Sequence, residues 1–479
     1  MQKYREYKSL NLPKVGDEVL SFWNEKSIFK KSITDPKRKK NFTFYEGPPS
    51  ANGMPGIHHV IARTIKDLFC RYKTLKGYTV NRKAGWDTHG LPVELGVEKE
   101  LNLSKEDIGS KISIKDYNDA CKVNVMKFKK SWEDITGQMG YWVDMQNPYV
   151  TYENKYIESV WWLLKELHTK GLLYKGHTIQ PFSPKAGTGL STHELNQPGC
   201  YKNVKDTSAV AQFKIIKDSK SHFLFEKTKN PIYFLAWTTT PWTLPSNTAL
   251  AVGKKIKYVL VDTFNQYTGE KISVILAKDL ISSFFDSQKE DSGFDNYKIG
   301  DKKLPFKIVK EIEGKELAEI NYDQLLKYAT PKVGEAFKVL LADFVTTEDG
   351  TGIVHLAPSF GADDSIVAKQ NGIGSLTLVD EQGRFTEEVT DFKGQYVKNE
   401  YYNENEKMPK LSADVQIAIK LKEEGLLFKS EKYEHSYPHC WRTDKPILYY
   451  PLDSWFIKTT DHKKRMIELN KTINWKPKS

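Results

Sequence analysis

Cysteine is scarce in this chain of 479 residues. The four present, Cys70, Cys121, Cys200 and Cys440, are scattered and form no CxxC pair. That excludes a disulfide-stapled scaffold and gives no zinc knuckle. Long hydrophobic runs are also lacking. A stretch such as Ile232–Trp237 falls far short of a membrane span. The opening MQKYREYKSLNLPKVGDEV has no apolar core of the signal-peptide kind. Internal repeats and low-complexity tracts are missing too. These absences lead us to expect a cytoplasmic, reduced protein with no membrane partner and no bound metal.

What the chain does contain suits a packed, multi-domain protein. Hydrophobic residues make up 39%, and 11 Trp and 25 Tyr argue against disorder. The length allows roughly two to four domains with ample core. The formal net charge of +11, from 72 basic and 61 acidic residues, is compatible with a polyanionic partner but equally with a Lys-rich solvated surface.

The most informative stretch is YEGPPSANGMPGIHHV, Tyr45–Val60, read with GWDTHGLPVE at Gly85–Glu94. Phe42–Tyr45 reads as a strand. Val60, Ile61, Ile65, Leu68, Phe69, Tyr72 and Leu75 then recur at helical spacing. A Gly/Pro/Asn loop with two histidines therefore sits where a strand hands over to a helix. The helix N-terminus offers free backbone N–H groups, and small residues let a phosphate approach. Strand-to-helix turns of this kind also occur without any ligand.

Alternating strand-like and helix-like patterns over 41–195 predict a parallel sheet with flanking helices. One predicted helix is Tyr156–Lys170, with Ile157, Val160, Trp161, Leu164 and Leu167 on one face and Gly171 as its stop. From 205 to 400 short β-type runs dominate, including Ser208–Ile216, Ile232–Trp237, Tyr258–Asp262 and Ile272–Leu276. The expected organisation is α/β. It comprises a helical lead-in (1–40), the first half of a Rossmann-type parallel-sheet domain (41–200), an inserted mostly-β module (201–400), and a segment (401–479) that returns to the parallel sheet through YPHCWR and SWF.

Three further strings complete the pattern: WTTTPWTLPSNTALAV at Trp237–Val252, GTGIVHLAPSFGADD at Gly350–Asp364, and YPHCWR…SWF at Tyr437–Phe456. In this order, with the two motifs above, they resemble the isoleucyl-tRNA synthetases, a family of class I aminoacyl-tRNA synthetases, over essentially the whole chain. Valyl- and leucyl-tRNA synthetases are weaker rivals. The helix after Tyr156 and Pro181–Ser183 resemble the eukaryotic-like branch, which lacks a zinc-binding Cys pair, so zinc is not expected.

The resemblance implies ATP-dependent activation of L-isoleucine, with Mg2+, and transfer to tRNA(Ile) by a monomeric, cytoplasmic enzyme. Gly56–His59 stands at the histidine signature of the ATP site. The family usually reads His-x-Gly-His, whereas this chain reads Gly56-Ile57-His58-His59, so glycine and the first histidine have exchanged places. His59 keeps its family position, and His58 is expected to replace part of the lost donor. Asp87 is implied as the anion for the substrate ammonium, although a helix-capping role is the simpler alternative. Glu46 is implied near the adenylate. Pro48 and Trp455 are implied on the isoleucine pocket, with Trp455 equally readable as core.

A second chemistry is implied because one methylene separates valine from isoleucine. That difference is worth only about 1–3 kcal/mol in an apolar pocket, a figure known from this enzyme family itself. The inserted module would hydrolyse valyl products. Thr238, Thr239, Thr240 and Asn247 would form its Thr-rich strip, with the surface of a β-strand as their bland alternative. His355 would exclude isoleucine, and Asp364 would grip the amino group. Phe360 occupies a position that is His in many bacterial members, and Asp363 adjoins Asp364. The Lys-Met-Ser-Lys-Ser signature and the anticodon-binding region do not occur, so the chain is expected to be an N-terminal fragment. Two other readings stay open: a free-standing editing hydrolase, and a non-catalytic tRNA-binding fragment.

Overall fold

The computed structural model describes residues 9–301 and 303–475. The first eight residues of the expected lead-in lie outside the described residues. The chain divides into two compact units. One runs to Tyr174 and resumes at Ile457, and the other is Lys175–Phe456.

The first unit opens with the helices Leu12–Glu25 and Ile28–Thr34. Asn11 caps the former by accepting from the Lys14 N–H at 3.1 Å, and Trp23 packs edge-on against Trp142 at 5.1 Å. Strands β1 (Lys40–Tyr45), β2 (Tyr78–Trp86) and β3 (Asp144–Val150) form a parallel sheet in that order. Helix Ile57–Leu75 makes the β1–β2 crossover, and three helices within Leu91–Gln138 make the next. This is the α/β pattern expected for the region.

The apolar stripe that locates helix Ile57–Leu75 in the sequence is not the face it buries. Ile61, Ile65 and Leu68 are exposed, while Arg63, Cys70 and Thr74 are buried. The reason lies in β2, where the Arg82 side chain is fully buried and needs partners. It donates to Thr74 Oγ1 at 2.7 Å, to Asp67 Oδ1 at 3.2 Å and to the Trp142 carbonyl at 3.2 Å. A buried guanidinium without such acceptors would be costly. Helix Asn154–Thr169 likewise buries no residue, and Trp161 on its expected apolar face is 71% exposed.

The chain passes between the units through β4 (Leu173–Ser183) and β15 (Leu448–Ile457), which form a small sheet with β5 (Thr188–Gly189). The second unit is built on β6 (Tyr201–Lys214), β7 (Ile232–Thr238), β8 (Ala249–Val252), β9 (Lys257–Phe264), β10 (Lys271–Ala277), β11 (Lys307–Glu313), β12 (Lys338–Leu341), β13 (Ile353–Leu356) and β14 (Leu427–Pro438). A six-stranded sheet runs β11-β9-β10-β7-β6-β14, antiparallel except for the β7–β10 pair. A second sheet runs β12-β8-β13.

Alternate residues of the large sheet feed two separate cores. Ala209, Ala211, Phe234, Leu260 and Ile275 face one, and Val210, Leu235, Val259, Val274 and Leu276 face the other. Burial on both faces explains why Ile232–Trp237 and Ile272–Leu276 read as continuous apolar runs rather than alternating ones. The segment expected to rejoin the parallel sheet pairs elsewhere. β14 lies antiparallel to β6 from Leu427 to Pro438, and β15 lies beside β4. The long free edge of β6 offers β14 a full ladder of backbone partners, and period-two apolarity does not say which sheet edge a strand will join. Among the described residues no helix is long and apolar enough to cross a membrane.

Candidate functional sites

In the first unit, the loop from Gly47 to Gly56 leaves β1 and is pinned by its neighbours' backbones. Asp87 N–H donates to the Pro49 carbonyl at 3.0 Å, Phe128 N–H to Ala51 O at 2.8 Å, and Trp132 Nε1–H to Gly53 O at 2.9 Å. The loop and the start of helix Ile57–Leu75 enclose a cavity of about 320 Å³ lined by Glu46, Ser50, Asn52, His59, Arg63 and Trp132 among others. Pro48, Gly56, His58 and Asp87 lie outside that lining.

His59 Nδ1 accepts the Gly56 N–H at 2.9 Å, so its ring proton sits on Nε2. Burial, then the neighbouring His58, hold its pKa below the ordinary histidine value. The ring is therefore neutral near pH 7 and keeps one N–H to donate. His58 is exposed, with its ring centroid 3.8 Å from that of His59. A Cβ placed on Gly56 would meet His58 Cε1 at 2.8 Å. Position 56 must therefore be bare while His58 holds this rotamer, which is a physical reason for finding the exchanged pair together.

Glu46, 3% exposed, is enclosed by the protein itself. Lys66 Nζ stands 2.6 Å and Arg63 Nη1 3.6 Å from its Oε1, and the Tyr141 hydroxyl donates to Oε2. Tyr149 donates to its carbonyl. Asp87 directly follows β2 and its side chain is exposed. It does not cap the following helix Leu91–Leu101, whose N-cap is Gly90. Trp455 stands on β15 in the second unit and is 64% exposed, so it is not ordinary core.

In the second unit the Thr-rich strip runs from the end of β7 into a short 3-10 helix, Pro241–Ser246. Thr240 N–H donates to Thr238 Oγ1 at 3.0 Å, and the Thr243 hydroxyl donates to the Thr240 carbonyl at 2.8 Å. Thr239 is half-buried between its neighbours. With the Thr243 proton committed, the 2.9 Å contact to His355 Nε2 is a donation from the ring. That leaves Nδ1 of His355 as a buried acceptor without a partner among the described residues. Burial lowers the His355 pKa to about 4, so the ring is neutral.

Asp364 lies in the first turn of helix Ala362–Gln370, and its Oδ2 accepts the Ala357 N–H at 2.9 Å. Burial raises its pKa to about 6 despite that bond, with Asp363 adding a smaller upward push. Asp363 itself is exposed. Phe360 packs edge-on against Trp242 at 5.2 Å, joining this segment to the Thr strip. Asn247 is engaged in scaffolding. Its Nδ2 donates to Ala249 O at 2.8 Å and Leu356 O at 3.3 Å, and its Oδ1 accepts from Tyr322 at 2.7 Å.

Residues 18–479 match the model of the tRNA synthetases class I (I, L, M and V). The chain belongs to this family. Relatives include the isoleucine–tRNA ligase of Cytophaga hutchinsonii, 60% identical across 100% of this chain and 44% of that protein. The isoleucine–tRNA ligase of Bacteroides thetaiotaomicron is 55% identical across 100% of this chain and 45% of that protein. The chain thus spans under half the length of these curated relatives. Both are bacterial, so the expected eukaryotic-like branch is not supported. The leucyl-tRNA synthetase editing domain of P. knowlesi aligns with 34% of this chain and 61% of its own, at 14% identity and a TM-score of 0.26, too loosely to carry an argument.

Several residues of these two candidate sites escaped the sequence reading. Thr243 could have been found, since it closes the WTTTPWT string three residues after Thr240, at helical reach. Arg63, Lys66, Trp132, Tyr141 and Tyr149, which hold Glu46 or line the cavity, gave no local signal. Three of them arrive on the β2–β3 crossover and β3, far along the chain.

Proposed function

We propose that this chain carries the amino-acid activation and editing chemistries of an isoleucine–tRNA ligase. The observation that carries this reading is the 60% identity, across the entire chain, to a protein of that name. Full-length relatives are more than twice as long, so tRNA(Ile), L-isoleucine and ATP with Mg2+ are proposed as substrates of the whole protein, acting in the cytoplasm.

In activation, an isoleucine carboxylate oxygen attacks the α-phosphorus of ATP, and the bond to the bridging oxygen breaks to release pyrophosphate. His59 Nε2–H donates to a phosphate oxygen, and His58 supplies a second donor from beside the bare Gly56. Asp87, with its carboxylate open to solvent, binds the substrate ammonium. Pro48 gives an apolar wall for the side chain. Glu46 acts indirectly, by fixing Arg63 and Lys66. In editing, water adds to the ester carbonyl of Val-tRNA(Ile) and the ribose oxygen leaves with a proton. Thr238, Thr239 and Thr240 orient the water and substrate, His355 limits side-chain size, Asp364 holds the ammonium, and Asn247 keeps β8 and β13 in place around them.

The test uses the product of the full coding sequence. Isoleucine-dependent pyrophosphate exchange and release of valine from Val-tRNA(Ile) are expected. Asp87→Asn should depress only the first and Asp364→Asn only the second. Exchange that depends on valine or leucine but not isoleucine would overturn the assignment.

A further inference from the structure

A buried ionic chain in the second unit ends on the Thr-rich strip, and the activities above make no use of it. Asp414, 3% exposed, sits in the first turn of helix Ala413–Glu423, where the helix dipole favours an anion. Its Oδ1 accepts the backbone N–H of Trp242 at 2.9 Å. Its Oδ2 lies 3.6 Å from Nζ of Lys398, itself 6% exposed. Lys398 Nζ also lies 2.9 Å from Asp206 Oδ2 on β6, and His435 Nε2 on β14 lies 3.3 Å from the same oxygen.

The N–H that Asp414 takes is an orphan by geometry. In a short 3-10 helix the first donors have no internal acceptor, and Pro241 has no N–H to give. Trp242 therefore carries the first free donor, and an acceptor on another element satisfies it. Trp242 also lies between Thr240 and Thr243, and its ring meets Phe360 of the Asp364 segment. A shift at Trp242 would move the hydroxyl on His355 and the carboxylate segment together. Burying Asp414 and Lys398 and half-burying Asp206 for stability alone is poor economy, because a well-packed apolar set does as well or better.

We propose that Asp414, held by Lys398 and Asp206, is a positioning residue of the editing pocket: it fixes the turn at Trp242 that carries Thr240 and Thr243. This rests on the editing reading given above. The test compares Asp414→Ala, Asp414→Asn and Lys398→Met in the full-length protein by Val-tRNA(Ile) hydrolysis, isoleucine-dependent exchange and amide hydrogen exchange at Trp242.

Asp414→Ala should lower kcat for hydrolysis by about tenfold or more, with KM within about twofold, because misplaced groups cost rate more than binding. Exchange, housed in the other unit, should stay within about twofold of wild type. Asp414→Asn keeps an acceptor for the Trp242 N–H and should recover most of the rate, whereas Lys398→Met should fall between the two. The Trp242 amide should be protected in the wild type and in Asp414→Asn, and exchange at least about tenfold faster in Asp414→Ala. Equal hydrolysis by all variants overturns the proposal, and so does equal impairment of the Ala and Asn variants. If Asp414→Ala does not fold, the other two variants decide, and an Asn variant as slow as Lys398→Met counts against the proposal. A wild type that hydrolyses nothing refutes the editing reading instead, and Trp242 exchange then judges the positioning claim alone.

Discussion

The Asp364 carboxyl makes the pH response of the proposed editing pocket calculable. Burial lifts its pKa from 3.8 to about 6, which costs the ionised form about 3 kcal/mol at most. An ammonium-binding carboxylate must be ionised, so hydrolysis should follow its deprotonation. A group at about 6 is roughly nine-tenths ionised at about pH 7 and one-tenth at about pH 5, giving a fall of about tenfold in kcat/KM on acidification. An unburied aspartate would stay mostly ionised across that window and give a nearly flat profile. His355 does not confuse the reading, because its pKa of about 4 keeps it neutral throughout. The assay is release of labelled valine from Val-tRNA(Ile), corrected for spontaneous hydrolysis at each pH. Stability carries an independent sign. A carboxyl whose folded pKa is raised favours the folded state below about pH 4, and that contribution is lost as pH rises through about 6. Asp364→Asn should therefore raise the unfolding midpoint at neutral pH while abolishing hydrolysis. A flat profile between about pH 5 and 7, or an Asn variant that is less stable at pH 7, would refute the reasoning.

Three other outcomes follow from the two sites. Gly85→Ala places a Cβ 2.4 Å from the Tyr149 ring, which also stacks on Tyr156 and donates to Glu46 O, so it should cost about 1–3 kcal/mol and slow isoleucine-dependent exchange. An unchanged thermal midpoint would mean that this close approach is wrong. Glu46→Gln strips the charge from a buried carboxylate that serves Arg63, Lys66 and Tyr141, and should destabilise by about 3 kcal/mol in urea unfolding. Thr243→Val leaves both His355 ring nitrogens unpartnered in a buried site. It should cost about 1–3 kcal/mol and depress hydrolysis but not exchange, and equal loss of both activities would point to general unfolding.

The sequence was most readable where structure is local. Phe42–Tyr45 and the helical spacing after Val60 gave β1 and its crossover because strand period, loop chemistry and helix period adjoin one another. The short apolar runs gave β7, β9 and β10 for the same reason. Orientation was less readable. In helix Ile57–Leu75 the apolar residues marked the element but not its buried face, because Arg82 on a neighbouring strand draws Asp67, Thr74 and the polar side toward the sheet. Amphipathicity says that two faces differ, and only the partner surface decides which one turns inward. The destination of the Tyr437–Phe456 segment failed in the same way, since β14 and β15 carry no mark naming β6 and β4 as their neighbours.

Site residues divide along the same physical line. His58, His59, Thr238, Thr240 and Asp364 lie inside the compact strings that carry the family resemblance, and Thr243 was recoverable from one of those strings. The groups that fix their protonation and position come from far along the chain. Gly56 gives His59 its tautomer locally, but Tyr141 and Tyr149 reach Glu46 across a crossover, and Asp414 reaches Trp242 from a helix 172 residues away. Such partners satisfy one buried donor or acceptor each, a need that arises only when the backbone has closed around it. A sequence can therefore display the groups that would touch a substrate and still conceal what makes them reactive. For this chain the concealed part is the more discriminating one: burial sets the pH at which the Asp364 carboxyl ionises, and the Trp242 N–H beside Thr243 depends on an acceptor from a distant helix.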